Sequence, residues 1–210
     1  EFMEKLTQAY PHILFESCSG GGGRYDAGML YYMPQTWTSD NTDPIARLKI
    51  QYSTSLVYPI STMGAHVSAI PNHQTGRETN LDIRGNVAMS GVLGYELDLT
   101  TLSEEEKVLI VKQVDFYKEH RQLLQFGDFV RLKSPYEENE VAWMFVSKDK
   151  KEAIVFYFRV LVEASAPYVT LKLAHLDETL EYQIANHVIS GDALMNIGMY
   201  IDPKLHGDYA

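Results

Sequence analysis

The groups of this chain that could do chemistry by type and spacing lie in its first 43 residues: carboxylates, one thiol and a run of glycines. Cys18-Ser-Gly-Gly-Gly-Gly-Arg24 follows the short apolar run Ile13-Leu14-Phe15, and Thr38-Ser-Asp-Asn-Thr-Asp43 follows a second run, Leu30 to Trp37. The helix announced by Asp43-Pro44 needs one cap, and Ser39, Asn41, Thr42 or Asp43 can each supply it. A second carboxylate, Asp40, is surplus to that need. It reads either as an Asx-turn residue or as a general acid. Beside apolar Trp37, desolvation would favour its protonated form, which is the tuning a proton donor requires.

Cys18 has two readings as well. It could be a nucleophile with His66 or His73 as base and glycine N–H groups as oxyanion donors, or a small buried hydrophobe at a strand end. The glycine run does not make a phosphate loop, because Arg24-Tyr25 stand where that motif requires Lys and then Ser or Thr. What four glycines supply is backbone that a ligand can approach closely. Trp37, nearest the second outlet, could stack on a sugar face, whereas Tyr31 and Tyr32 read as core. His66 and His73 have no carboxylate at ligand spacing, so neither a metal nor another cofactor is expected.

Elements must hold these groups. Short apolar runs that end in turn chemistry and lead into helix signals read as buried parallel strands, here 12–17, 30–38 and 63–68. Such strands present polar residues at their carboxyl ends, where α/β folds place ligands. Phe2, Leu6 and Tyr10 fall at helical spacing before Pro11. Ile45, Leu48 and Tyr52 form the expected apolar stripe of the helix after Asp43. A further helical region is expected over 81–97, interrupted by Gly85, Gly91 and Gly94. Ser103-Glu-Glu-Glu106 is a capping box opening a long helix to about Leu124, with Gly127 as its stop. Beyond it the period changes to strand-like runs at 129–132, 141–146, 153–162, 169–173 and 180–184, suggesting an antiparallel sheet or sandwich. Three strand–helix units cannot close a barrel, so the first half of one is expected to lie outside this sequence.

Composition narrows the class. The 210 residues carry 28 acidic and 18 basic side chains, a formal charge of −10, which argues against nucleic acid as a partner. A single cysteine excludes an internal disulfide and leans toward a reducing, cytoplasmic setting. No apolar run is long enough for a membrane helix. The start at Glu1-Phe2-Met3, directly in a helix, reads as a piece of a longer protein.

Three stretches, Phe15-Glu-Ser-Cys-Ser-Gly-Gly-Gly-Gly-Arg-Tyr-Asp26, Pro34-Gln-Thr-Trp-Thr-Ser-Asp-Asn-Thr-Asp43 and Tyr58-Pro-Ile-Ser-Thr-Met-Gly-Ala-His-Val-Ser68, together with Phe116-Tyr-Lys-Glu-His-Arg121 and Phe126-Gly-Asp128, resemble bacterial α-galactosidases of glycoside hydrolase family 36. The resemblance implies an α/β part followed by an all-β part. Residues 1–126 would be the last strand–helix units of a (β/α)8 barrel, and 127–210 would belong to a C-terminal antiparallel β-sandwich domain. It implies retaining hydrolysis of terminal α-galactosyl groups, typically α-1,6-linked, by two carboxylates about 5–5.5 Å apart. Asp40 stands where the family has its acid/base, and Cys18 and Gly21 where it contacts sugar hydroxyls. The family's nucleophile lies in a Lys-Trp-Asp type motif that this chain lacks, so the chain alone should be inactive. Family members are often tetramers. A galactosyl-transferring relative of the raffinose-synthase type, or a non-catalytic carbohydrate-binding module, are the competing expectations.

Overall fold

The computed structural model describes residues 1–18, 20, 23–164, 168–201 and 208–209. The chain divides into two units, Glu1–Tyr117 and Lys118–Ala210. In the first, strands β1 (Glu16–Ser17), β2 (Gln35–Trp37), β3 (Met63–Ser68) and β4 (Val92–Glu96) form a parallel sheet in that order. Helices α1 (Phe2–Ala9), α2 (Ala27–Tyr32), α3 (Pro44–Thr54), α4 (Leu81–Met89) and α5 (Glu104–Phe126) alternate with these strands, the end of α5 reaching into the second unit.

Strand β3 sets the layering. Its Ala65 and Val67 are buried with Leu81 and Ala88 of α4, and Leu93, Tyr95, Leu109 and Ile110 pack around them. Side chains alternate across a strand, so Gly64, His66 and Ser68 turn to the opposite face. Gln113 of α5 ties the helices to the sheet by donating to Leu81 O at 3.0 Å and accepting from the Tyr95 hydroxyl at 2.8 Å.

Several expected elements stand as read. The helix at the amino end closes before Pro11, and the strand at 63–68 is β3. Asp43 is the cap of α3, its Oδ1 accepting from Ile45 N at 2.8 Å, with Pro44 at the first helical position. The capping box of α5 is formed reciprocally: Ser103 N donates to Glu106 Oε2 and Glu106 N to Ser103 Oγ.

Four expectations are corrected. The first strand spans only Glu16–Ser17, and Ile13 and Leu14 before it are exposed. The aromatic run is not one strand: Asp26 accepts from Met29 N and starts α2, and only Gln35–Trp37 after Pro34 is extended. The helical region at 81–97 stops at Met89, and Val92–Glu96 becomes a fourth parallel strand. Gly91 allows that turn, since a Cβ there would meet Ala65 Cβ at 2.8 Å and Met63 O at 2.9 Å. Finally, the buried face of α3 is not the stripe Ile45–Leu48–Tyr52. Leu48 is buried, but Pro44, Arg47 and Gln51 complete the face.

The second unit is antiparallel. Strands β5 (Asp128–Lys133), β6 (Glu140–Val146) and β7 (Ala153–Arg159) form a meander. Strands β8 (Val169–Leu171) and β11 (Met199–Ile201) pair, as do β9 (Glu181–Ile184) and β10 (His187–Ser190), with helix α6 (Gly191–Asn196) between β10 and β11. Ala142, Met144 and Val146 join a core with Leu171, Leu173, Leu176 and Leu194. Trp143 and Phe145 turn the other way into a cluster of Phe129, Phe156 and Phe158. All the strand-like runs expected after Gly127 are strands. β10, α6 and β11 were not anticipated, each being too short to show a period.

Candidate active site

The outlets of β1 and β2 are adjacent. Ser17 pairs in register with Thr36, so Cys18 and Trp37 follow at the same level of the sheet, and Asp40 lies three residues beyond. Cys18 is exposed, which overturns its reading as a buried hydrophobe. No hydrogen bond among the described residues joins it to His66 or His73, and His66 faces Trp37 and Glu96 instead. Gly20 follows with φ +58°, a conformation suited to glycine. Gly21, the glycine expected at the sugar, lies outside the described residues.

The segment from Thr38 to Asp43 is fixed at both ends. Thr38 Oγ1 donates to Gly64 O at 3.3 Å, and Ser68 Oγ donates to Thr42 O at 3.3 Å. Asn72 Nδ2 donates to Thr42 Oγ1 at 3.1 Å. Between them Ser39 Oγ accepts from Asn41 N, and Asn41 Oδ1 accepts from Asp43 N, each at 3.1 Å. The two aspartates at its end therefore separate by role. Asp43 is fully buried, caps α3 and receives Thr75 Oγ1 at 2.6 Å as well as the guanidinium of Arg77. Burial works to raise its pKa, but the bonds from Thr75, Arg77 and Ile45 and the charge of Arg77 outweigh it, so the carboxyl titrates below its usual range.

Asp40 takes no part in the cap. Its carboxylate is exposed, so the desolvation expected beside Trp37 is not supplied within this chain. Its Oδ1 accepts a hydrogen bond from Trp37 Nε1 at 3.1 Å. The indole is half-buried, 4.5 Å between ring centroids from His66, whose Nδ1 lies 3.5 Å from Glu96 Oε2. The guanidinium carbon of Arg47 sits 4.7 Å from the indole centroid, within cation–π range. Arg47 is itself buried and donates from Nη2 to Gly64 O at 3.3 Å. Burial draws its pKa down to about 10 against the pull of Glu96, leaving it charged at neutral pH.

This arrangement provides one exposed, hydrogen-bonded carboxyl, an aromatic surface and an exposed thiol at neighbouring strand outlets. That suffices for proton transfer to a bound ligand. Among the described residues, no group of three or more His, Cys, Asp or Glu is placed to hold a metal ion. Tyr31 and Tyr32, read as strand core, lie in α2 instead. The reading of the sequence missed Arg47 and His66 as neighbours of Trp37, and Glu96 as the partner of His66. Gly64 and Gly94, lone glycines inside strands, were the available signal, since such positions mark close approach.

Residues 1–127 match the Melibiase family model, and residues 140–210 match that of the glycosyl hydrolase family 36 C-terminal domain. The chain is 64% identical to alpha-galactosidase AgaA of Geobacillus stearothermophilus over 94% of its length, and 59% identical to alpha-galactosidase 1 of Pediococcus pentosaceus over 100%. It spans 27% and 29%, respectively, of those relatives. A crystal structure of an AgaA variant in complex with raffinose superposes with a TM-score of 0.97 at 61% identity, covering 99% of this chain and 29% of that one. Another, in complex with stachyose, gives the same values.

Proposed function

Because this chain belongs to glycoside hydrolase family 36, we propose that it forms part of an α-galactosidase that removes terminal α-galactosyl groups from raffinose-type oligosaccharides with retention of configuration. The observation that carries the reading is Asp40: an exposed carboxyl at the outlet of β2, free of the capping duty that Asp43 performs. In an enzyme of the relatives' full length, strands β1–β4 are the closing part of a (β/α)8 barrel. The barrel portion runs to about residue 126, and 127–210 belong to a β-sandwich. No cofactor is required, and the assembled enzyme is a soluble cytoplasmic oligomer, a tetramer as in the family.

The chemistry needs two carboxylates. The nucleophile comes from a part of the polypeptide outside these 210 residues and forms a bond to the anomeric carbon. The glycosidic C–O bond breaks, and Asp40 gives its proton to the departing oxygen. Water then attacks the galactosyl-enzyme, Asp40 takes up its proton, and the nucleophile leaves as a carboxylate. Cys18 and Gly21 contact the galactose hydroxyls, and the exposed part of Trp37 offers apolar surface to the sugar.

A substrate comparison tests this. In an enzyme of full length, Asp40→Ala should lower kcat/KM on raffinose by about 10²- to 10⁴-fold, the usual worth of a general acid. A 2,4-dinitrophenyl α-galactoside, whose leaving group departs unprotonated, should lose far less. Equal losses on both would remove Asp40 from the acid role.

A further inference from the structure

Glycine is disfavoured inside strands unless something must come close to the backbone. Two glycines of the first unit have that reason, and both concern the same pair of rings. In register, Trp37 stands beside Gly64 and His66 beside Gly94. A Cβ at Gly64 would lie 3.2 Å from Trp37 Cε3, and one at Gly94 would lie 2.4 Å from His66 Cδ2. Each ring therefore lies across the next strand, in space that any larger residue would take away. Trp37 rests against His66, His66 faces Glu96, and Arg47 approaches the indole. An indole held on so many sides has little freedom, and its one polar atom donates to Asp40 Oδ1 at 3.1 Å.

We infer that Trp37 is a positioning residue for proton transfer: its N–H fixes Asp40 Oδ1, so that Oδ2 is the oxygen that carries the proton and hands it to the glycosidic oxygen. His66, Glu96 and Arg47 act one step further back by holding the indole. The inference rests on the acid/base reading of Asp40. Indole Nε1–H is a donor only, so the oxygen it meets must accept at every stage of the cycle. In the protonated acid the carbonyl oxygen is the better acceptor, so this bond favours the proton on its partner. In the anion the same bond is charge-assisted and stronger. An exposed aspartate without this bond would rotate among several rotamers, and small displacements of a reacting group are costly in rate.

The test uses Trp37→Phe in an enzyme of full length. Phenylalanine keeps a flat ring for His66, Arg47 and the sugar but removes the N–H. On raffinose, kcat/KM should fall about 10- to 100-fold with KM little changed, while on the 2,4-dinitrophenyl galactoside it should stay within about 3-fold. Retained activity on the activated substrate also shows that the variant is folded. A loss shared equally by both substrates, or no loss on either, would overturn the positioning role. Asp40→Ala in the same assay separates the two ideas. If it shows the leaving-group pattern and Trp37→Phe does not, only the positioning role fails; if Asp40→Ala lacks the pattern, both fail.

Discussion

Strands β3 and β6 are each flanked by two partners, yet they use their faces differently. In β6 the run Val141 to Val146 is buried throughout, with Ala142, Met144 and Val146 entering one apolar cluster and Trp143 and Phe145 another. In β3 only one face is apolar; the other carries Gly64, His66 and Ser68. The two tryptophans of the chain follow the same division. Trp143 is 1% exposed and packs with its ring 5.1 Å from Phe158. Trp37 is half-buried among a histidine, an arginine and an aspartate. A strand that gives both faces to packing contributes stability alone. One that withholds a face can aim polar groups at a ligand, at the expense of core.

Substitutions can break or sharpen that contrast. The largest effect on folding should come from Trp143→Ala, which empties a filled aromatic site and should cost about 3–5 kcal/mol in denaturant unfolding. The ratio of activities on raffinose and the dinitrophenyl galactoside should not move; a changed ratio would mean that the second unit reaches the chemistry.

A smaller effect is expected at Asp43. Asparagine keeps one oxygen for the cap, but its amide nitrogen cannot accept the bonds that Thr75 and Arg77 give to Oδ2, so Asp43→Asn should cost about 1–3 kcal/mol. The sign with pH follows from the lowered pKa of Asp43. Its contribution is present in full above the ordinary carboxylate range near about pH 4 and fades as pH falls through the lower folded-state value. The variant should therefore match the parent more closely in acid than at neutral pH. A difference that grows on acidification would refute the assignment.

What the sequence disclosed depended on how local the cause was. Asp43-Pro44 and Ser103-Glu-Glu-Glu106 name their helix starts because caps are contacts within a few residues. The continuous apolar strands of the second unit were legible for the same reason. The aromatic run at 30–38 misled, since α2 is decided by one bond from Met29 N to the Asp26 side chain and by Pro34, which together outweigh strand-like composition. β4 was hidden because its partners come from β3, about thirty residues away, and its glycines imitate a broken helix. Asp40 was legible as a surplus carboxylate, and resemblance gave it a role. Arg47, His66 and Glu96 were not, because α3 and β3 bring Arg47 and His66 to Trp37, and β4 brings Glu96 to His66, only through the parallel register.

The most direct measurement of the central claim is rescue by a small anion. In full-length Asp40→Ala, azide should occupy the space left by the carboxylate and attack the galactosyl-enzyme without base assistance. Turnover of the dinitrophenyl galactoside should then rise with azide, yielding α-galactosyl azide with retained configuration. Absence of rescue, or an azide product of β configuration, would contradict the role of Asp40 as the acid/base on the leaving-group side.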